Sequence, residues 1–131
     1  MLLILAVCGF FSFGSGSQLT IGETQFEYEL ADTPEARQQG LSGRDSLESG
    51  SAMLFNFGKN DKHCIWMKDM RFAIDIIWLD DEQRIVHTEE NVTQDTYPDQ
   101  FCSETDSYYV IEVNAGEFAP TRAGQYEPVS F

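Results

Sequence analysis

Apolar and polar positions alternate through the first patterned stretch of the chain. Across residues 19–31 the segment LTIGETQFEYELA alternates about Gly22, with Phe26, Tyr28 and Leu30 on one face and Gln25, Glu27 and Glu29 on the other. A period of two over this length is the signature of a half-buried β-strand. Thr33, Pro34 and Glu35 follow and predict a helix start. The Thr33 hydroxyl can cap free amides, a proline in the first turn forfeits no hydrogen bond, and the glutamate suits the positive end of the helix dipole. Gly40 predicts that this helix stops after about two turns.

Three short apolar segments come next. Residues 53–57 (MLFNF) are closed by the turn formers Gly58 and Asn60, residues 64–67 (CIWM) form the second, and residues 74–79 the third. The unbroken run Ile76, Ile77, Trp78, Leu79 predicts a strand that is central or buried on both faces. Residues 80–83 (DDEQ) read as a polar turn and residues 84–88 as the returning strand of a hairpin. Residues 93–107 are polar, include Pro98 and show no periodicity, so a long surface loop is expected there. Residues 108–113 give the last strong strand, halted by Asn114, Ala115 and Gly116, and residues 128–131 supply at most a short edge strand. The expected fold is mostly β (α+β): a compact, small, β-barrel-like body or a strongly curved mixed sheet, with one or two short helices.

The N-terminus has a different character. Residues 1–17 carry no charged side chain and read MLLILAVCGFF followed by a Gly/Ser stretch. This run is too short to cross a bilayer comfortably but fits the core of a secretory signal. Ser15, Gly16 and Ser17 offer a cleavage site before Gln18, although no basic residue precedes the apolar run. A second route uses Leu5, Ala6, Val7 and Cys8 as a lipoprotein-type cleavage box, with Cys8 lipidated. A third reading keeps the segment as the apolar first strand of a cytoplasmic protein. Either export route divides the chain into a signal at 1–17 and one domain at 18–131, and places that domain outside the cytoplasm: secreted, periplasmic or lipid-anchored. The roughly 110 remaining residues suffice for one modest core.

Charge narrows the partners. Eight Lys and Arg stand against 22 Asp and Glu, a formal net charge of −14. Such a surface repels phosphate backbones and lacks the basic patch that drives counterion release, so nucleic acid and anionic membrane surfaces are not expected partners.

Candidate chemistry is sparse. His63 and Cys64 are adjacent, so on a strand they face opposite ways and do not readily share an ion. His87 and Glu89 share a face, but two ligands are too few, and Asp80, Asp81 and Glu82 lack calcium-loop spacing. No metal site and no cofactor are expected. Ser42 lacks a nucleophile-elbow context. Glu89 with Glu90, or Asp75 with Glu112, could serve as an acid and base pair if the sheet brought them together. Asp75 interrupts an apolar strand, so once buried it requires an arginine or backbone amides; Arg44 is the preferred partner, ahead of Arg37 and Lys68. With Cys8 removed or lipidated, Cys64 and Cys102 remain as an even pair in an exported chain, which predicts a disulfide pinning the polar loop to the sheet.

Several motifs together carry a resemblance. They are the strand around Phe26; Arg37, Gly40, Leu41 and Arg44 in RQQGLSGR; Met53, Leu54 and Phe55; Trp66, Met67, Lys68 and Asp69 in IWMKDM; Ile74 with Asp75; and Val110, Ile111 and Glu112 with Gly116 in YVIEVNAG. Their order and spacing over residues 20–131 resemble the DUF192 family of small bacterial and archaeal domains, whose activity is not established. Ser42 stands where the family usually has Met, and Tyr126 and Glu127 replace a customary Gly-Asp. The resemblance implies a compact β-rich fold and frequent export, and no particular reaction.

Trp66 and Met67 point to opposite sides of a strand. One reading has Trp66 and Trp78 plugging the ends of a small barrel. The other is a shallow binding face made of Arg44, Trp66, Lys68, Asp69, Asp75 and Glu112. Three functions follow: a noncatalytic binding or accessory domain at the cell envelope for a small ligand, a glycan or an envelope protein; a carboxylate-based hydrolase; or a purely structural envelope protein.

Overall fold

The computed structural model describes residues 16–131, so the signal and Cys8 readings lie outside the described residues. The chain is mostly β. Strands β1 (Gln18–Ile21), β2 (Thr24–Ala31), β3 (Ser51–Asp61), β5 (Ile74–Leu79), β6 (Ile85–Val92) and β8 (Ser107–Asn114) form one sheet in the order β1-β2-β3-β8-β5-β6. The β2–β3 pair is parallel and the other pairs are antiparallel. Strands β4 (Cys64–Trp66) and β7 (Gln100–Cys102) pair separately. The sheet is mixed, as expected, but it closes no barrel. The C-terminal segment reaches both margins, through bridges from Ser130 to Thr20 on β1 and from Pro128 to Arg84 before β6, with the Val129 amide donating to the Gln83 carbonyl and the Ile85 amide to the Glu127 carbonyl.

The sheet has two packed faces. On one, Ile77 and Leu79 of β5, Ile111 and Val113 of β8 and Leu54 of β3 pack with Leu19, Ile21, Phe26 and Val129. On the other, Ile74, Ile76 and Trp78 of β5, Val110 of β8 and Met53 and Phe55 of β3 pack with Leu41 and Met67. Every residue of β5 is buried, which accounts for its unbroken apolar run.

The sole α-helix among the described residues, α1 (Pro34–Gln39), begins and ends where its local chemistry requires. The Ala36 amide donates to the Thr33 hydroxyl at 3.1 Å and the Gly40 amide to the Ala36 carbonyl at 2.9 Å. Gly40 has φ 47°, and a Cβ there would stand 3.2 Å from the Phe55 ring, so the helix end can approach the sheet only through a glycine.

Four expectations need correcting. The alternation of β2 breaks at its end: Leu30 is exposed and Ala31 is buried instead. Strand β3 continues through Gly58 to Asp61, with a register irregularity between Asn56 and Asp61 absorbing the turn formers. The polar stretch 93–107 is not one long loop; it contains a 3₁₀ turn (Gln94–Thr96), a cis Tyr97-Pro98 bond and β7. Finally, the two tryptophans are not a matched pair of plugs. Trp78 is wholly buried, donating its indole N–H to the His63 carbonyl at 2.7 Å, whereas Trp66 is 46% exposed.

Candidate functional site

Strand β8 carries Glu112 between Met53 of β3 and Ile76 of β5, its Cα partners on either side. Paired residues project to the same face, so Glu112 lies on the face of Met53 and Ile76. Phe55 and Phe57, two and four places beyond Met53, continue that face, and Phe57 stacks on the His63 ring at 3.8 Å.

Over this part of the sheet, α1, the turn after it and the β4–β7 pair leave a chamber of about 150 Å³. Its walls include Leu41, Phe55, Phe57, Met67, Met70 and Ile74, with the Glu112 carboxyl among them. Cys64 also lines it, and its disulfide to Cys102, the residue directly opposite in register, fastens β4 to β7. Outside the chamber is a wider polar basin of about 650 Å³, bordered by Glu35, Lys68, Asp69 and Arg71. Gln38, Gln39, Ser42, Trp66 and Met70 border both spaces, making them one cleft.

The rim is held by short-range bonds. The Ser42 hydroxyl donates to the Lys68 carbonyl at 2.8 Å, and the Gly43 amide donates to the Asp69 carbonyl at 2.9 Å. Ser42, a departure from the family pattern, thus clamps the turn that bears Lys68 and Asp69. The Arg37 guanidinium lies 5.7 Å from the Phe57 ring centre and donates to the Asn56 carbonyl at 3.0 Å. The Lys68 ammonium lies 5.6 Å from the Trp66 ring centre. Trp66 also meets Tyr97 at 5.4 Å, so an aromatic pair stands at the entrance.

Glu112 is 4% exposed, and among the described residues no hydrogen bond or ion pair reaches its carboxyl. Burial alone pushes it up to about 8, because the apolar surroundings disfavour the charged form. At neutral pH the group is chiefly a protonated acid, able to donate one hydrogen bond.

Asp75 is different. It pairs with Val113 and therefore faces the other side of the sheet. One carboxylate oxygen accepts the Asn91 amide at 2.8 Å, and the other accepts the Gly116 and Phe118 amides at 3.0 Å each. The preferred partner Arg44 is elsewhere, bonded to Glu29 at 2.6 Å. Backbone amides, not an arginine, satisfy Asp75, and the sheet separates it from Glu112, so these two carboxyls do not form an acid and base pair.

Of the expected binding face, the cleft therefore brings together Trp66, Lys68, Asp69 and Glu112, and leaves out Arg44 and Asp75. Sequence reasoning missed Arg37, Phe55, Phe57 and Met70 as neighbours of Glu112. The spacing of Met53, Phe55 and Phe57 carried a usable signal. Met70, in an irregular turn, carried none. His87, beside a separate concavity of about 240 Å³, is already within 3.0 Å of Glu89.

The DUF192 family model, described as an uncharacterized ACR, matches residues 17–130. The chain belongs to the DUF192 family. No curated protein matches it. Among solved structures, this DUF192 domain is similar to a protein from Sinorhizobium meliloti 1021 described, provisionally, as a transcription regulator. The two share 26% identity and a TM-score of 0.78 over 86% of this chain and 89% of that one. A protein of unknown function from Novosphingobium aromaticivorans shares 24% identity and a TM-score of 0.78 over 87% and 82%, a likeness of fold.

Proposed function

We propose that this domain is a noncatalytic binding module acting outside the cytoplasm, which holds a small ligand in the cleft ending at Glu112. One observation carries the reading: a buried carboxyl without a partner lines a partly apolar chamber that opens into a polar basin. Buried polar groups are ordinarily satisfied, and an apolar pocket with a few convergent polar groups is the usual form of a ligand site. The exposed Trp66 and Tyr97 at the entrance add rigid surface of the kind that anchors recognition.

A hydrolase reading draws less support, since the other carboxylates of the cleft, Glu35 and Asp69, border the outer basin and Glu112 the inner chamber. The regulator description of the Sinorhizobium protein is not carried over, because 22 acidic residues against 8 basic ones offer a phosphate backbone little to bind. A location outside the cytoplasm draws support from the Cys64–Cys102 disulfide and from the uncharged N-terminus. None of the described helices is long and apolar enough to cross a membrane.

The test is a fragment titration of the 18–131 domain followed by backbone NMR. Shifts should cluster at Leu41, Phe57, Trp66, Met70 and Glu112, and mass spectrometry should recover the fragment unchanged. Shifts confined to other surfaces, or a chemically altered fragment, would overturn the reading. For the location, protein from the native host should begin at Gln18 or at a lipidated Cys8; an intact, unmodified Met1 form in the cytoplasm would remove that part.

A further inference from the structure

The chamber and the buried carboxyl in its wall restrict what can fill the cleft. A volume of about 150 Å³ matches cavities that hold a six-carbon ring, or roughly six heavy atoms. Much of the wall is aliphatic, aromatic and thioether, from Leu41, Ile74, Phe55, Phe57, Met67 and Met70, while Arg37, Gln38, Gln39 and Ser42 add polar groups to it. A group with a charge or several polar atoms along its length would lose its hydration against the apolar side chains without compensation. The part of the ligand that lies against these apolar side chains is accordingly a short hydrocarbon.

The tip must answer Glu112. A carboxylate could take one hydrogen bond from the protonated acid, but it is repelled once Glu112 ionises and by the domain's net charge of −14. An alcohol or carbonyl could take one hydrogen bond from the protonated acid. A primary ammonium offers three donors to a carboxylate that has none, and a charge-assisted bond is stronger than a neutral one. Two further features favour the cation. The domain's net charge of −14 draws cations towards it, and the ring faces of Phe57 in the chamber and Trp66 at the entrance already hold Arg37 and Lys68. Neither of those residues pairs with Glu112: Arg37 is held by the Asn56 carbonyl and Lys68 stays at the rim over Trp66.

We infer that the ligand is an aliphatic primary amine, its ammonium group meeting the Glu112 carboxyl and its short chain lying between Leu41, Phe55, Phe57 and Met70. The inference rests on the cleft being a binding site and specifies the ligand class. Proton balance gives it a signature. Below about 8 the free domain holds the Glu112 proton, whereas the bound form is a carboxylate beside an ammonium, so binding at pH 7 releases nearly one proton to the buffer. A primary amine stays charged to about pH 10. Its affinity therefore rises with pH until Glu112 is ionised in the free domain, by about tenfold between pH 7 and pH 9. A neutral hydrogen-bond acceptor shows the opposite trend, because it needs the protonated acid.

The experiment is calorimetric titration of the full chain with n-pentylamine, 1-pentanol and pentanoate, at pH 7 and pH 9, in two buffers of different ionisation enthalpy. Expected are amine binding that strengthens about tenfold with pH, release of nearly one proton at pH 7, and loss of at least tenfold in affinity in Glu112→Gln. Proton release is read on the wild-type protein, so the test stands even if the variant folds poorly. If 1-pentanol binds in the cleft and the amine does not, or if amine affinity is flat with pH and no proton is released, the inference falls while the cleft remains a binding site. If no probe binds and no fragment shifts the cleft resonances, both fall.

Discussion

Asp75 and Glu112 lie on adjacent strands of one sheet with almost equal exposure, 1% and 4%, and their neighbours Val113 and Ile76 are aliphatic in both cases. Yet Asp75 is met by three backbone amides and Glu112 by none. The difference lies in what covers each face. Over Asp75 the chain turns back, so that the end of β6 and the turn after β8 aim N–H groups at a carboxylate. Over Glu112 the covering pieces are short, and they arch over the sheet so as to leave a partly apolar space. Burial of a carboxyl is thus no mark of a site; the proposed site rests on a buried carboxyl that the chain leaves unsatisfied beside an open space. The first group is an internal anchor for two turns, and the second carries a cost in the folded state that a ligand could offset.

The largest effect should come from removing the unsatisfied member. In the unfolded chain Glu112 titrates near its ordinary 4.5, while burial raises it to about 8 in the fold. Between those values the folded protein keeps a proton that the unfolded chain has released, so rising pH favours unfolding. The group's contribution is fully favourable below about 4.5 and is lost as pH climbs through about 8. The span corresponds to roughly 4–5 kcal/mol. Glu112→Gln should therefore gain on the wild type between pH 5 and pH 9 by up to that amount in urea unfolding. Parallel stability curves would mean that Glu112 has a partner, and the contrast with Asp75 would dissolve.

Asp75→Asn should act in the opposite direction. A carboxamide presents one acceptor oxygen, so its NH₂ must face either the Asn91 amide or the Gly116 and Phe118 amides. Leaving buried donors unmet is expected to cost about 2–3 kcal/mol, with resonances around the chamber unchanged. A melting temperature equal to the wild type's would show that the amide cage contributes nothing; altered ligand binding would show that the two faces are coupled.

Much of the sheet was legible because its rules are local. The period of two in β2, the apolar run of β5 and the Thr33–Pro34–Gly40 punctuation of α1 each need only a few neighbours to be read. Strand β7 was hidden because Gln100, Phe101 and Cys102 form too short a segment for periodicity, although the Cys64–Cys102 disulfide that joins it to β4 across 38 positions was expected from the cysteines alone. The open sheet was hidden too, since closure depends on how residues 128–131 meet both margins. For the candidate site, IWMKDM and Glu112 stood out as motifs, but a motif does not say which side of a sheet it serves. Asp75 and Glu112 differ in that respect alone, and alternation could reveal it only once Asp75 was known to pair with Val113 and Ile76 with Glu112. Arg44 was misplaced for a related reason: scarcity of basic residues suggested it for Asp75, whereas three backbone amides had already met the need.

The smallest effect on stability should come from Trp66, and it sharpens the comparison by asking whether the cleft's entrance belongs to the fold or to a ligand. Trp66 is nearly half exposed, touches Tyr97 at an edge and carries Lys68 against its ring. Surface aromatic and cation–π contacts of this kind are each worth about 1 kcal/mol or less. The buried Trp78, by contrast, fills the core and bonds to the His63 carbonyl. Trp66→Ala should lower stability by less than about 1 kcal/mol while weakening cleft binding by roughly tenfold, the scale of an interface aromatic. The two readouts separate the accounts. A plug would show a stability loss of about 3 kcal/mol or more, as a large core truncation does, and would put Trp66 in the same class as Trp78. A wall of a binding cleft would show a ligand-affinity loss with the melting curve almost unmoved, which is what an exposed ring beside an unsatisfied carboxyl requires.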